Sequence, residues 1–287
     1  MRLTVLGSGS PEAHARRASS GYLLEVAGAR LLFDCGGGVV DRLLQSGRRP
    51  ADVDALFLSH LHSDHMMDYA RLVHSAWDDG AAPLPVYGPQ PTAEITEKLF
   101  GRDGVFAEDL RARTELAPSQ AVWVARGGTL PRTWPAPVVT EIAKGQVIEG
   151  AGWRVTVIEV PHAQPVLTCL AFAVEDGAGC RFVYSGDAGK DAMLERLCAG
   201  ADAVLHWCYR LDGEEVPPEM AVLTPTPSEI AAMATRAGVG QLLLTHFRVH
   251  MDTDAGHAAA LASMKAVFPG TCRIVEDLDQ VTFGPEA

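Results

Sequence analysis

The 287 residues are enough for one large α/β domain or two small ones, and 47% hydrophobic with 21% charged residues is typical of a soluble globular protein. The formal net charge of −12 argues against a protein that grips phosphate backbones, so we expect no nucleic-acid partner. No apolar run is long enough to cross a membrane, and the amino terminus does not resemble a signal peptide, so we expect no membrane partner either.

The six cysteines are scattered along the chain, and no two of them form a Cys-x-x-Cys pair. This spacing favours reduced side chains over a disulfide framework or a structural zinc site. We therefore expect a cytoplasmic protein.

Short apolar runs separated by glycine-rich turns predict strands in the first part of the chain. The predicted elements are strands over residues 2–6, 18–26 and 29–34, followed by a helix over residues 39–46. Gly7 and Gly9 after the first strand could belong to a dinucleotide-binding loop, but Pro11 and Glu12 do not open the helix that such a loop requires. We expect no nucleotide cofactor.

A dense group of histidines, His60-Leu61-His62-Ser63-Asp64-His65, follows a predicted buried strand at residues 55–58. Residues two apart in an extended chain project to the same side, so His60 and His62 can bind one metal ion. Asp64 and His65 follow as the chain turns and can face a second ion, because imidazole and carboxylate groups both suit zinc. The alternative is a polar loop whose histidines have no ligand.

Further along the chain, we predict a helix over 66–75, a strand over 83–88 and a helix over 92–100. Residues 101–150 contain Trp123, Trp134 and several prolines, and we interpret them as strands with an irregular connection. They would form an insertion that covers the active site, although ordinary core tryptophans are an equally good interpretation.

The second half continues the pattern of strands and helices. We predict strands over about residues 153–160, 168–174, 181–185, 203–207 and 241–245, with helices over 190–198, 227–237 and 255–268. His162, Asp187 and His246 each stand where one of these apolar strands ends. No segment is rich enough in Pro, Gly and Ser to be a linker, so we expect residues 1–287 to form a single domain.

The motif of His60, His62, Asp64 and His65 resembles the His-x-His-x-Asp-His signature of the metallo-β-lactamase superfamily. The resemblance implies an α/β fold, a four-layer αββα sandwich in which helices cover two face-to-face sheets. It also implies a dinuclear site that holds two zinc ions, or manganese or iron in their place. The implied ligands are His60, His62 and His162 for the first ion, Asp64, His65 and His246 for the second, and Asp187 as the bridge.

This resemblance implies hydrolysis by a hydroxide that bridges the two ions. Asp64 would orient the water and accept its proton. Asp34, at the end of its strand, would support the site by accepting a hydrogen bond from a ligand histidine, although it could almost equally cap the turn before the glycines. His206 is the candidate to stabilise or protonate the leaving group, although it could equally be a core histidine.

Several short stretches are similar in sequence to the ribonuclease Z group, which lies within a branch that also resembles arylsulfatases. They are Leu6–Gly9, Tyr184–Asp187 and Ala237–His246. Three departures stand against that group's reaction. A His-Ser-Thr-like element is replaced by Leu223–Pro227, the Glu of a His-Glu-Ala-Thr element is replaced by Trp207, and residues 163–186 leave no room for a tRNA-gripping arm.

From these departures we expect the substrate to be a small molecule with an ester, lactone, phosphodiester or related bond. The alternative is a metal-dependent nuclease of the ribonuclease Z type that acts on RNA. A protein that holds metal without turnover is a third hypothesis, and a homodimer is compatible with any of them.

Overall fold

Two mixed β-sheets lie face to face in the computed structural model, which describes residues 1–284. The sheets have the strand orders β14-β1-β2-β3-β4-β5-β6 and β13-β12-β11-β10-β9-β8-β7. The strands are β1 Arg2–Gly7, β2 Gly21–Val26, β3 Ala29–Phe33, β4 Ala55–Phe57, β5 Pro85–Gly88, β6 Val138–Glu141, β7 Val147–Gly150, β8 Trp153–Glu159, β9 Leu170–Asp176, β10 Arg181–Tyr184, β11 Ala203–Trp207, β12 Gln241–Thr245, β13 Thr271–Ile274 and β14 Gln280–Thr282.

Helices cover the outer face of each sheet. They are α1 Val39–Gln45, α2 Ser63–Met66, α3 Tyr69–Asp78, α4 Thr92–Phe100, α5 Ala107–Glu115, α6 Ala117–Ala125, α7 Ala192–Leu197, α8 Pro218–Leu223, α9 Pro227–Ala237 and α10 Asp254–Lys265, with a 3₁₀ helix at Pro50–Asp52. None of the helices in residues 1–284 combines the length and the apolar character needed to cross a bilayer. All six cysteines are free.

Alternation along the strands divides the apolar side chains into three layers of core. In β3, Leu31 and Phe33 point between the sheets, whereas Leu32 points to the helices on the outer face. Between the sheets, Phe57 stacks on Phe33 with 5.2 Å between ring centroids and meets Phe172 edge-on at 5.9 Å. Burial of each such ring contributes about 1.5–3 kcal/mol to folding. The predicted αββα sandwich is confirmed.

Strand direction brings distant parts of the chain to one edge of the sandwich. β3 and β4 are parallel neighbours in the first sheet, and β10, β11 and β12 are parallel neighbours in the second. β8 runs in the same direction, because both β8 and β10 are antiparallel to β9. A hydrogen bond from the Leu170 backbone N–H to the Ser59 carbonyl, at 2.9 Å, joins the two sheets at this edge. Residues that follow these strands are therefore held close together.

The prediction of strands with an irregular connection in 101–150 is right for β6 and β7 but wrong for the first part of the segment, where α5 and α6 occupy Ala107–Glu115 and Ala117–Ala125. α5 is rich in strong helix formers and carries an ion pair between Arg113 and Asp109, four residues apart, at 3.0 Å. It buries only Ala107 and Leu110, so its apolar periodicity is too sparse to identify it. The short α8, β13 and β14 were also not predicted from the sequence.

Candidate metal centre

All seven predicted ligands come together at the edge where the strands end. His60 follows β4, and the chain stays extended to His62 before Asp64 and His65 enter the single turn of α2. His162, Asp187 and His246 follow β8, β10 and β12. Although the ligands are separated by up to 186 positions, counted as 246 − 60, they lie in contact.

The first cluster consists of His60, His62 and His162. Nε2 of His60 lies 2.9 Å from Nδ1 of His62, which lies 3.4 Å from Nε2 of His162. Ligand atoms about 2.0–2.1 Å from a tetrahedral zinc ion are roughly 3.3 Å from one another. The three ring nitrogens therefore have the spacing of a zinc-binding triad.

The second cluster consists of Asp64, His65 and His246. Oδ2 of Asp64 lies 3.4 Å from Nε2 of His65 and 3.2 Å from Nε2 of His246. All three residues are buried, and the stacked rings of His65 and His246 are 5.5 Å apart. One carboxylate and two imidazoles form a second N/O donor set of the kind that binds divalent transition metals.

Asp187 lies between the two clusters. Its Oδ2 is 3.2 Å from Nε2 of His246 and 3.5 Å from Nε2 of His65 on one side, and 3.7 Å from Nε2 of His162 on the other. Within residues 1–284, Oδ1 of Asp187 and Nε2 of His65 are buried and have no hydrogen-bond partner. Such atoms are costly to bury unless a ligand satisfies them, so the donor set fits a pair of divalent ions.

The electrostatics of the cluster favour the protonation states that metal ligands need. Burial lowers the pKa of His60 and of His162, which keeps both rings neutral. Burial acts in the opposite direction on Asp64, but the hydrogen bond from His246 and the nearby His65 ring outweigh it and hold the pKa of this carboxyl below its usual range. Asp187 likewise stays ionised, because His246 and His65 lower its pKa more than burial raises it.

His65 has the opposite shift. Burial disfavours its charged form, but Asp187 and Asp34 together raise the pKa of the ring well above its ordinary value. The ring stands between two buried carboxylates that need a neighbouring positive charge. A proton and a divalent cation would compete for the same atom, Nε2, so metal binding is expected to release this proton.

Asp34 holds the His65 ring in place through its Nδ1 atom. Its Oδ2 accepts hydrogen bonds from Nδ1 of His65 at 2.8 Å, from the Ser59 hydroxyl at 2.7 Å and from the Tyr184 hydroxyl at 2.7 Å. The contact to His65 is the one expected for Asp34 from the resemblance. A carboxylate at Nδ1 fixes the tautomer that leaves Nε2 free for a metal.

Left-handed backbone conformations occur at three strand ends in the site. Asp34 and His246 have φ values of 57° and 64°, and Gly186 has a φ of 55°. For the two residues that are not glycine, this conformation costs about 1–3 kcal/mol each and persists only where the surroundings enforce it. At Gly186 a Cβ atom would lie 2.5 Å from the Leu170 carbonyl oxygen, so a side chain there would push the β10 end away from the β9 end.

A cavity of about 370 Å³, which we call the metal pocket, opens above the two ligand clusters. Its walls are formed by Trp207 at the end of β11, by Tyr209 just after it and by one side of α8, and Pro11 completes the rim. The α8 residues that line it are Glu219, Met220 and Leu223. Of these wall residues only Trp207 and Leu223 were considered from the sequence, because α8 is a six-residue helix with no ligand motif of its own.

Among the described residues, no part of 101–150 lines this pocket, so the predicted covering insertion lies elsewhere on the surface. Trp123 stacks under the Arg132 guanidinium at 4.3 Å, and Trp134 stacks under that of Arg102 at 4.1 Å. These tryptophans therefore organise their own segment and do not face the metals.

His206 also lies outside the pocket. It points to the opposite face of β11 from Trp207 and lines a separate cavity beside α9. Its Nδ1 donates to the Trp207 carbonyl at 2.7 Å, and burial lowers the pKa of the ring to about 4. The geometry gives His206 no contact with a leaving group in the metal pocket.

One further cluster, Asp252, His257 and Glu276, has the spacing of metal ligands. Asp252 already pairs with Arg17 at 2.7 Å, with Arg16 at 2.6 Å and with His257 at 2.8 Å. Arginine beside the carboxylate supplies the positive charge that a metal would bring, so this cluster is an ion-pair network.

Comparison with known proteins identifies the family. Residues 29–247 match the family model described as the β-lactamase superfamily domain. The chain belongs to the β-lactamase superfamily. Superfamily membership and the relatives below make it a metal-dependent hydrolase.

Superfamily members similar to it over their whole length include "Ribonuclease Z" of Mycobacterium sp. strain KMS, 33% identical over 99% of this chain and 97% of the relative. "Ribonuclease Z" of Mycobacterium bovis strain BCG Pasteur 1173P2 is 32% identical over 99% of both chains.

Solved superfamily structures share the fold. The metallo-β-lactamase fold protein YhfI from Bacillus subtilis aligns with a TM-score of 0.76 and 25% identity, covering 99% of this chain and 98% of its own. The short form of human tRNase Z aligns with a TM-score of 0.70 and 18% identity, covering 99% of this chain and 100% of its own. Zn²⁺-bound PqqB from Methylobacterium extorquens aligns with a TM-score of 0.62 and 18% identity, covering 98% of this chain and 100% of its own.

The expectation of no nucleic-acid partner was wrong. It rested on the net charge of −12, yet the relatives that match 99% of the chain carry the name of an RNA-cleaving enzyme. Net charge sums over the whole surface, whereas binding depends on the field in the cleft where the substrate lies. An acidic total therefore does not exclude RNA.

Proposed function

We propose that this chain is a dinuclear, metal-dependent phosphodiesterase that cleaves RNA. The observation that carries the proposal is Asp187, whose Oδ2 lies within 3.7 Å of ligand nitrogens from both clusters at the base of an open pocket. A shared carboxylate is the arrangement expected of two neighbouring ions. The similarity to ribonuclease Z over 99% of the chain supports RNA as the substrate.

The seven ligands would hold zinc, or another divalent ion that accepts N/O donors. Ions bound there would supply Lewis acidity for the phosphoryl oxygens and would lower the pKa of water to about 7. Asp64 is ionised and buried beside the pocket, and its carboxylate can orient the attacking water and accept its proton. Asp34 fixes the ring of His65, so the donor set is organised before substrate arrives.

The aromatic wall suits a nucleic-acid strand. Trp207 and Tyr209 line the pocket, and their rings tilt against each other with centroids 5.5 Å apart. The guanidinium of Arg248 lies 4.8 Å from the Tyr209 ring and pairs with Glu12, the neighbour of the rim residue Pro11. Trp207 is only 3% exposed, so the half-buried Tyr209 is the ring on which a base can stack, and the arginine beside it can contact a phosphate.

The departures from the ribonuclease Z pattern bear on how RNA would be held. Residues 163–186 are largely occupied by β9, β10 and the turn between them, so no arm extends from this part of the chain. α8 and Thr224 form the pocket wall just before α9, in the stretch where that pattern carries a histidine. We therefore propose that the pocket wall and its rim recognise the RNA. Glu219 is the acidic side chain of α8 that lines the pocket.

The test is RNA cleavage by zinc-loaded protein. A 5′-labelled RNA hairpin with a single-stranded 3′ extension, the same sequence as DNA, and bis(p-nitrophenyl) phosphate are compared at equal protein concentration. We expect cleavage of the RNA, and loss of at least 100-fold of the rate in Asp64→Asn, because removal of a proton acceptor typically costs 10²–10⁴. Asp41→Asn, a change at a surface ion pair with Arg71, is the matched control and should keep the rate.

A small-molecule phosphodiester or ester is a second candidate, and the apolar side chains of Met220 and Leu223 on the α8 wall favour it. Hydrolysis of bis(p-nitrophenyl) phosphate without cleavage of any RNA would select this candidate. Full metal loading without turnover of either substrate would reject both.

A further inference from the structure

A second cavity lies on the far side of β11, between α7 and α9. It has a volume of about 430 Å³, and its walls include Leu194, Ile230 and Met233. His206 lines this cavity, whereas the next residue, Trp207, lines the metal pocket. Because consecutive residues of a strand point to opposite faces, the two cavities are separated by the strand, and they share no lining residue among those described.

His206 offers this cavity a hydrogen-bond acceptor. His206 is only 2% exposed, and its one hydrogen bond within residues 1–284 joins Nδ1 to the Trp207 carbonyl at 2.7 Å. A carbonyl oxygen can only accept, so Nδ1 carries the proton and Nε2 of the neutral ring has a free lone pair. Nε2 is not among the fully buried atoms without a partner in residues 1–284, so a ligand with a donor would replace water at this lone pair.

The charged groups at the mouth are already paired. Lys190 forms an ion pair with Glu229 at 2.5 Å, and Arg236 forms one with Glu195 at 2.7 Å. Asp191 accepts hydrogen bonds from the first turn of α7, at the Met193 and Leu194 N–H groups. With both cations neutralised in this way, the cavity does not favour an anion, and its apolar walls favour an uncharged occupant.

We propose that this cavity is a binding site for a small uncharged molecule that has an apolar ring and an N–H or O–H group which donates to Nε2 of His206. The volume lies in the range of about 300–1,000 Å³ that is typical of small-molecule sites. The ring would pack on Ile230 and Met233, while the donor would point inwards to the strand. The paired side chains at the mouth would remain in water.

Phenol and anisole provide a matched pair of probes, because they have the same ring and only phenol has a donor. Each is titrated into the full-length protein labelled with ¹⁵N histidine at pH 7.5, and the ring nitrogens of His206 are followed by NMR. We expect phenol to bind at least fivefold more tightly than anisole and to shift the Nε2 resonance of His206, which one neutral hydrogen bond can account for. Equal affinities, or binding without a change at Nε2, would overturn the proposal.

Two variants locate the site. Ala232→Phe places a ring at the cavity lining from a half-buried position of α9, and we expect it to weaken phenol binding at least tenfold. Ala262→Phe makes the same change at an exposed position of α10 that does not line the cavity, and binding should be unchanged. If neither probe binds, or if Ala232→Phe keeps the wild-type response, the cavity holds solvent only.

Discussion

Asp34 and His65 are joined by a 2.8 Å hydrogen bond between a buried carboxylate and Nδ1 of a buried imidazole. This contact aims Nε2 of His65 at the second ligand cluster. We predict that Asp34→Ala lowers zinc affinity 10- to 100-fold, the usual effect of removing a group that orients a ligand. Competition with a chromophoric chelator measures the change. Asp41→Asn should keep the wild-type affinity, and unchanged binding in Asp34→Ala would show that His65 needs no such support.

Removal of the metals should destabilise the fold. Asp64 and Asp187 are buried carboxylates, and within residues 1–284 their positive neighbours are the ligand histidines. Zinc at 1,000 times its dissociation constant should stabilise the protein by about 4 kcal/mol relative to the chelated protein. Thermal melting with and without a chelator measures this. A melting temperature that does not respond to zinc would mean that the folded state does not bind it.

The stability of the protein should fall in acid through His206. Its pKa is about 4 in the folded protein, because burial disfavours the charged ring, against about 6.5 in the unfolded chain. Between these values the unfolded state binds more protons, so stability is fully present above pH 6.5, declines as the pH falls and levels off below pH 4.

The full effect is about 3 kcal/mol for a shift of this size. Urea unfolding of the wild type and of His206→Gln at several pH values isolates it, since contributions of the other groups cancel in the difference. The difference between the two proteins should shrink by about that amount from pH 7 to pH 4. A difference in unfolding free energy that does not change with pH would show that the His206 ring has the same pKa in the folded and unfolded states.

Arg248 should affect RNA more than a small phosphodiester. Its guanidinium lies 4.8 Å from the ring of Tyr209, which lines the pocket, and contacts Glu12, next to the rim residue Pro11, at 3.0 Å. We predict that Arg248→Ala raises KM for the RNA hairpin several-fold, lowers the slope of log KM against log salt by about 1, and leaves hydrolysis of bis(p-nitrophenyl) phosphate unchanged. Arg236→Ala, at an ion pair with Glu195 far from the rim, is the control. Equal effects of both variants on KM for the RNA hairpin would show that the rim does not bind RNA.

The sequence predicts the parts of this site that depend on strand ends. His60, His162, Asp187 and His246 each follow an apolar run, and parallel strands deliver their ends to one edge, so the strand pattern agrees with the ligand set that the superfamily resemblance implies. The sequence does not reveal the pocket wall. α8 is a six-residue helix without buried side chains, and the position of such a segment depends on contacts that periodicity does not encode.

His206 and the net charge illustrate two other limits. A histidine at a strand end can point to either face, and here Trp207 occupies the side that faces the metals. Which residue of the pair faces the site depends on the register of β11, which pairs His206 with Leu244 and Trp207 with Thr245. Net charge likewise describes the whole surface, and it misled the expectation about nucleic acid because the field at the pocket is local.

Anomalous diffraction from crystals of the zinc-loaded protein, recorded on both sides of the zinc absorption edge, tests the dinuclear site most directly. We predict two peaks about 3.5–4 Å apart, with Asp187 between them, three histidines on one and Asp64, His65 and His246 on the other. A single peak, or zinc bound at Asp252 and His257 with the central cluster empty, would contradict it.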